Sequence, residues 1–230
     1  GFSFSKEIRH EATDVKFQGR SGTCWVYGTL SLIESELLRM GKGRHDLAEM
    51  FVVRHNYADR TRDYVRYHGH KKFSGGAEGW DVFRVIGRYG IVPEEVYPVR
   101  NPDAYYADHV EMDAVLKGIA DTIATLQAPK LSNVWHKAFT AVLDTYMGDL
   151  PDTFTEKGQE FTPVSYAKHL GIQPDNYIAI GSYTHHPYYE KFIFEGADNW
   201  SQGSIYNVPL NELIEIMHHA IDEGYTFSWV

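Results

Sequence analysis

The segment "VKFQGRSGTCWVYGTLSLIESELL", Val15 to Leu38, constrains the chain more than any other. Gly19 and Gly22 make "QGRSGT" turn material, and apolar residues then recur at Val26, Leu30, Ile33, Leu37 and Met40. Alternating steps of four and three residues place those side chains on one helical face, which has to be buried against another element. Gly41 is a natural stop for that helix. Cys24, the only cysteine, falls where the turn becomes the helix.

The rest of the chain offers further helices first and β-prone runs last. Residues 1–14 lack a period and read as extended. "HDLAEMFVVRHNYADR" reads as a second helix, with Asp46 as cap and Glu49 as its capping-box partner. "GWDVFRVIGRYG" reads as a third, with Trp80, Phe83 and Ile86 inward and Gly90 at its end. The prolines of "IVPEEVYP" then impose an extended exit. From Pro102 to about Gly148 the spacing predicts two helices separated by "QAPKLSN". Their faces are Met112, Val115, Ile119, Ile123 and Leu126, then Val134, Ala138, Val142 and Tyr146. "FTPVSYAKHLG" is a short helix with Thr162 as cap, Pro163 in the first turn and Gly171 as stop. "NYIAIGSY" and "EKFIFE" are β-prone. "PLNELIEIMHHAIDEG" is a helix expected to face the core with Leu210, Leu213, Ile214, Met217 and Ile221. The closing "YTFSWV" alternates Tyr225, Phe227 and Trp229 with smaller residues, which predicts a strand.

Composition narrows the function. With 22 basic and 31 acidic residues the net charge is −9, and no basic run interrupts it, so nucleic acid is not an expected partner. No run approaches the 18 or so apolar residues of a membrane span. A single cysteine forms no internal disulfide and leaves the redox compartment open. The start at Gly1 rather than Met is what export and processing would leave, among other origins.

A lone cysteine is ordinarily an inert, buried small hydrophobe. The setting of Cys24 argues otherwise. The amino end of a helix carries about half a positive charge and favours an anion there. The backbone N–H of Cys24 is free to donate to an oxyanion, and Gln18, six residues earlier, offers a side-chain NH₂ as a second donor.

"VKFQGRSGTCW" resembles the nucleophile segment of papain-like cysteine peptidases, Val-Lys-x-Gln-Gly-x-x-Gly-x-Cys-Trp. "LAEMF" resembles the start of that family's second helix, and "SGGAEGWDVFRVIGRYGIVPEEVYP" its glycine pair, third helix and exit strand. The long helical stretch after "VYP", and "SYTHHPYYEKFIFEGADNW" followed by "YNVPLNELIEIM", resemble the bleomycin hydrolase and aminopeptidase C branch. The resemblance implies an α+β, two-lobed fold. Residues 1–98 would form the helical lobe with the nucleophile, 99–175 a helical insertion, and 176–230 the start of the β lobe. It implies Cys24 as nucleophile, Gln18 as oxyanion donor, and Gly75 and Gly76 as backbone that pairs with a peptide like an added strand. Departures are visible. Ser21 stands where secreted members have a disulfide cysteine, Phe17 replaces an asparagine, and the spacing from Gly75-Gly76 to Trp80 is longer than usual.

The family's histidine and its "Asn-Ser-Trp" asparagine have no counterpart here, so the resemblance implies an N-terminal part completed by a segment beyond residue 230. It further implies removal of N-terminal residues from peptides, homo-oligomers (hexamers) and a cytoplasmic location. No cofactor is expected. Nor is a metal: His68/His70, His185/His186 and His218/His219 lack the zinc-site spacings, and neighbours on a strand or helix point apart. Two alternatives stay open: a non-catalytic peptide- or partner-binding lobe, from another class, and an endopeptidase, a variant of the same peptidase reading.

Overall fold

The computed structural model describes residues 7–98, 106–128 and 130–229. The expected readings for residues 1–6, and for Pro102 to Tyr105, lie outside the described residues. The described chain is α+β, with seven α-helices and two small sheets.

The first helix, α1 (Cys24–Arg39), begins at the cysteine and buries Val26, Leu30, Ile33 and Leu37 completely. Met40 is the C-cap rather than a core residue. It packs with α2 (Glu49–Arg66) and α3 (Gly79–Tyr89). α2 is the centre of the molecule, with α1, α3 and two later helices around it. It is buried on almost every side, so its charged residues need partners. Arg54 reaches Asp144 at 2.6 Å, and Asp59 takes Arg84 at 2.7 Å. The capping box expected at Asp46 and Glu49 does not form. The N-cap is Ala48, and both carboxylates are instead held by Lys16 Nζ, at 2.5 and 2.7 Å. Those contacts tie the segment leading to Gln18 onto α2.

α3 has a capping box at Glu78 and Asp81. Its buried apolar face is Val82, Val85 and Ile86. Trp80 and Phe83, expected inward, are half-buried, and Phe83 stacks on Tyr177 with centroids 4.2 Å apart.

The next two helices, α4 (Val110–Thr125) and α5 (Val134–Met147), pack on α2. Their buried faces differ from those expected. α4 buries Met112, Leu116, Ala120 and Ala124 while Val115 and Leu126 are exposed. α5 buries Phe139, Leu143 and Met147 while Val134 is exposed. Two of the residues α4 buries, Ala120 and Ala124, are small, which a count of large apolar residues does not register. These side chains join one continuous core running from Trp25 to Trp200.

A hairpin of β1 (Phe154–Glu156) and β2 (Gln159–Phe161) follows, turning at Lys157 (φ 49°) and Gly158 (φ 80°). α6 (Pro163–Leu170) is capped as expected: Thr162 Oγ1 accepts from Ser165 N at 3.1 Å, and Gly171 is left-handed. Gly90, after α3, comes so close to α6 that a Cβ there would lie 2.1 Å from the Pro163 carbonyl carbon.

The β-prone runs supply β3 (Ile180–Gly181) and β4 (Lys191–Ile193). They flank β5 (Ser204–Asn207), which is parallel to β3 and antiparallel to β4. The final helix, α7 (Leu210–Asp222), spans the expected residues but buries none of them; Leu210 and Ile214 are exposed. Residues 225–229 form no strand, because no described segment pairs with them. Tyr225 instead lies under the Arg39 guanidinium, 4.0 Å from its ring centroid. Among the described residues no helix is long and apolar enough to cross a membrane.

Candidate active site

Cys24 is the first residue of α1 and is exposed, while its neighbours Thr23 and Trp25 are buried. The first N–H groups of a helix have no acceptor within it, so this end presents donors outward. The first turn of α1 holds no acidic side chain to oppose the helix dipole.

The loop before it is fixed from outside. Gly19, at φ 65°, sits against the Tyr106 side chain and the Ala107 carbonyl; a Cβ there would lie 2.4 Å from Ala107 O. Only glycine meets both conditions. Arg20 N donates to Ala107 O at 2.8 Å, and His109 N donates to Arg20 O at 3.1 Å, a short parallel bridge. Ser21 Oγ donates to Gln18 O at 2.8 Å and also contacts the Thr23 hydroxyl. Gln18 is half-buried at the far end of this loop from Cys24. The 106–109 brace was not foreseen from the sequence, since nothing in "YADH" marks it as a partner of "GRS".

Trp25 joins this loop to the glycine pair. Its Nε1 donates to Gly75 O at 3.0 Å, within the core. Gly75 is buried, and a Cβ on it would lie 2.8 Å from both Ser21 O and Tyr57 Oη. Its lack of a side chain is therefore needed for packing. Gly76 is half-exposed and faces Asp198, whose Oδ1 would be 2.7 Å from a Cβ at that position.

A second residue missed by sequence reasoning is Arg60. Its buried guanidinium donates to Lys72 O at 2.7 and 3.1 Å, to Ser74 O at 3.0 Å, and to Gly76 O. One side chain thus holds the whole 72–76 loop. Burial lowers its pKa, opposed mainly by Asp198. For Asp198, burial acts upward, but Lys72 at 2.8 Å and Ser74 at 3.1 Å outweigh it and hold the carboxyl below its usual range. On the other side of Gly75, Tyr57 Oη donates to Asp113; burial and that carboxylate push the phenol well above its usual value.

His109, which caps α4 beside the cysteine loop, is buried. Burial lowers its pKa to about 4, so it is neutral near pH 7. Among the described residues, His10, His45 and His136 hydrogen-bond to the carbonyls of Ile221, Lys42 and Ala58, and His185 to Glu195.

Comparison with known proteins follows the same line. No protein-family model matches the chain. Aminopeptidase G of Lactobacillus delbrueckii subsp. lactis is 21% identical over 265 aligned positions, covering 96% of this chain and 59% of the relative. In the crystal structure of PepW from Lactobacillus rhamnosis HN001 (DR20), determined as the selenomethionine derivative, the same fold recurs. The TM-score is 0.75 at 18% identity, over 97% of this chain and 59% of that one. The chain therefore spans about three fifths of the length of each protein. Both likenesses agree with the resemblance to papain-like peptidases of the bleomycin hydrolase and aminopeptidase C branch.

Proposed function

We propose that this chain supplies the nucleophile of a cysteine aminopeptidase that removes N-terminal residues from peptides. Cys24 Sγ attacks the scissile carbonyl and forms a thioacyl intermediate, and the amine leaves with a proton. The Cys24 N–H and the Gln18 side-chain amide hold the oxyanion. A histidine that donates the proton, and an asparagine that orients it, come from a segment beyond residue 230. Water then hydrolyses the thioacyl bond. Gly76, on the half-exposed side of the 72–76 loop, faces the peptide backbone, while Gly75 provides close packing. The Gly76 carbonyl already accepts one bond from Arg60 and keeps a second lone pair for substrate. The assembly of the whole enzyme as a homo-oligomer belongs to the same proposal.

The observation that carries this reading is the exposed Cys24 at the start of α1, on a braced loop tied through Trp25 to Gly75. The name of the relative aminopeptidase G supports the reaction class. A second reading, a non-catalytic peptide-binding lobe, is favoured by the hydrogen bonds that His10, His45, His136 and His185 make elsewhere.

A peptidyl epoxide and an aminoacyl reporter separate the two. The first reading expects rapid alkylation at Cys24, located by mass spectrometry. It also expects reporter hydrolysis that appears when the downstream segment is present and vanishes in Cys24→Ala. Peptide binding without turnover, with labelling no faster than that of a free thiol, would establish the second.

A further inference from the structure

We propose that His185, His186 and Glu195 form a zinc-binding site, separate from the Gln18–Cys24 loop and from the 72–76 loop. Their ligand atoms, two imidazole nitrogens and one carboxylate oxygen, all lie within 4.8 Å of one another. His185 Nε2 is 2.8 Å from Glu195 Oε2, and His186 Nε2 is 3.4 Å from the same oxygen. Tetrahedral zinc with bonds near 2.1 Å spaces its donors about 3.4 Å apart; the His186–Glu195 pair already has that spacing, and side-chain shifts of His185 and Glu195 bring the rest to it. Glu195 and His185 are exposed and free to make them.

Adjacent histidines on a strand or helix would point apart, but these two lie in a turn, with ring centroids 4.3 Å apart. The turn is held rigidly by Asn207, at the buried end of β5. Its Oδ1 accepts from Tyr183 N at 2.8 Å, and its Nδ2 donates to the carbonyls of Tyr183, His186 and Pro187 at 2.9, 3.0 and 3.1 Å. The His186 ring is fixed as well, stacked on Phe192 of β4 at 4.0 Å and 16°. Glu195 lies two residues beyond β4, so strand pairing brings it to the same place.

The simpler account is an ordinary ion pair between His185 and Glu195. That account leaves His186 Nε2 poorly served: it is shielded from solvent, makes no hydrogen bond among the described residues, and has only the Glu195 carboxylate, at 3.4 Å. A buried polar atom in that state requires a partner. A cation bound by all three side chains supplies one and leaves a position for water, as in sites with two histidines and a glutamate.

The test uses the 230-residue chain with Cys24→Ser, so that the thiol cannot contribute. Zinc chloride is titrated by calorimetry, and cobalt chloride is followed by visible absorption. One equivalent should bind saturably. The cobalt spectrum should show the strong visible band of a four-coordinate ion. Glu195→Gln and His185→Asn, both at exposed positions, should each weaken binding by about tenfold or more, as losing one of three ligands implies. His218→Asn, in another histidine pair, should not weaken it. Absence of saturable binding below about 1 mM zinc would overturn the proposal. So would binding that is insensitive to Glu195→Gln and His185→Asn, or binding lost with His218→Asn.

Discussion

Replacing Arg60 by methionine keeps side-chain bulk and removes the donors that hold the 72–76 loop. Four hydrogen bonds to the carbonyls of Lys72, Ser74 and Gly76 disappear together. A buried acceptor left without a partner costs about 1–3 kcal/mol, and removing one partner of a buried charged cluster about 3–5 kcal/mol. The three acceptor residues, Lys72, Ser74 and Gly76, are half-buried or exposed, so water can reach part of what is lost. Asp198 also keeps Lys72 and Ser74. The lower end therefore applies, about 3 kcal/mol, or about 6–12 °C in Tm for a chain of this size. Arg60→Lys should recover less than half, because a single ammonium cannot span three carbonyls in the way a planar fork does. Urea unfolding followed by circular dichroism measures both variants. A change below about 0.5 kcal/mol in Arg60→Met, the range of ordinary surface substitutions, would refute the claim that this guanidinium holds the loop.

Three further outcomes follow from described contacts. Gly90→Ala should cost about 2–4 kcal/mol in urea unfolding, from a left-handed φ of 82° and a Cβ driven into the Pro163 backbone. In the assembled enzyme, Gln18→Ala should lower turnover about 10²–10³-fold with little change in KM, the usual loss for one oxyanion donor; a loss confined to KM would assign Gln18 to binding. Burial lowers the pKa of His109 to about 4, and that of His55, with help from Arg54, to about 3. The unfolded imidazoles take protons near pH 6.5 while the folded ones do not. Their contribution therefore weakens as pH falls from 6.5 and levels off below the folded values. For His109 alone the loss between pH 7 and 4.5 is about 2–3 kcal/mol. His109→Gln should flatten urea midpoints over that interval, and an unchanged slope would exclude His109 as a source.

The parts of the fold that show in the sequence are those specified locally. α1 was readable because its apolar face is made of large residues at strict spacing, and all but the last of them, Met40, are buried. α6 was readable because Thr162, Pro163 and Gly171 mark both its ends. The faces of α4 and α5 were not, because what they bury is decided by the surface of α2 and by alanines that carry little signal. The capping box at Asp46 failed for a similar reason: Lys16, distant in sequence, claims both carboxylates. β5 has only four residues, and its identity rests on two neighbours rather than on its own pattern. At the candidate site, the motif and its family resemblance named Cys24, Gln18 and the glycines as candidates. Arg60 and the 106–109 brace could not, since their roles consist of bonds to backbone atoms, which any sequence has.

α7 has every feature of a helix that should be buried, yet it is anchored by groups outside a core. Its ties include a bond from His10 Nε2 to Ile221 O and one from Tyr189 Oη to Glu212, at 2.8 and 2.6 Å. Opening such a helix exposes little new apolar surface, so its opening free energy lies far below that of α1 or α2. The chain by itself should then unfold in more than one cooperative unit under native conditions. Amide protons of residues 210–222 should exchange with deuterium long before those of residues 26–37, and a protease at low concentration should cut first near the exposed Asp222 and Glu223, where the helix ends.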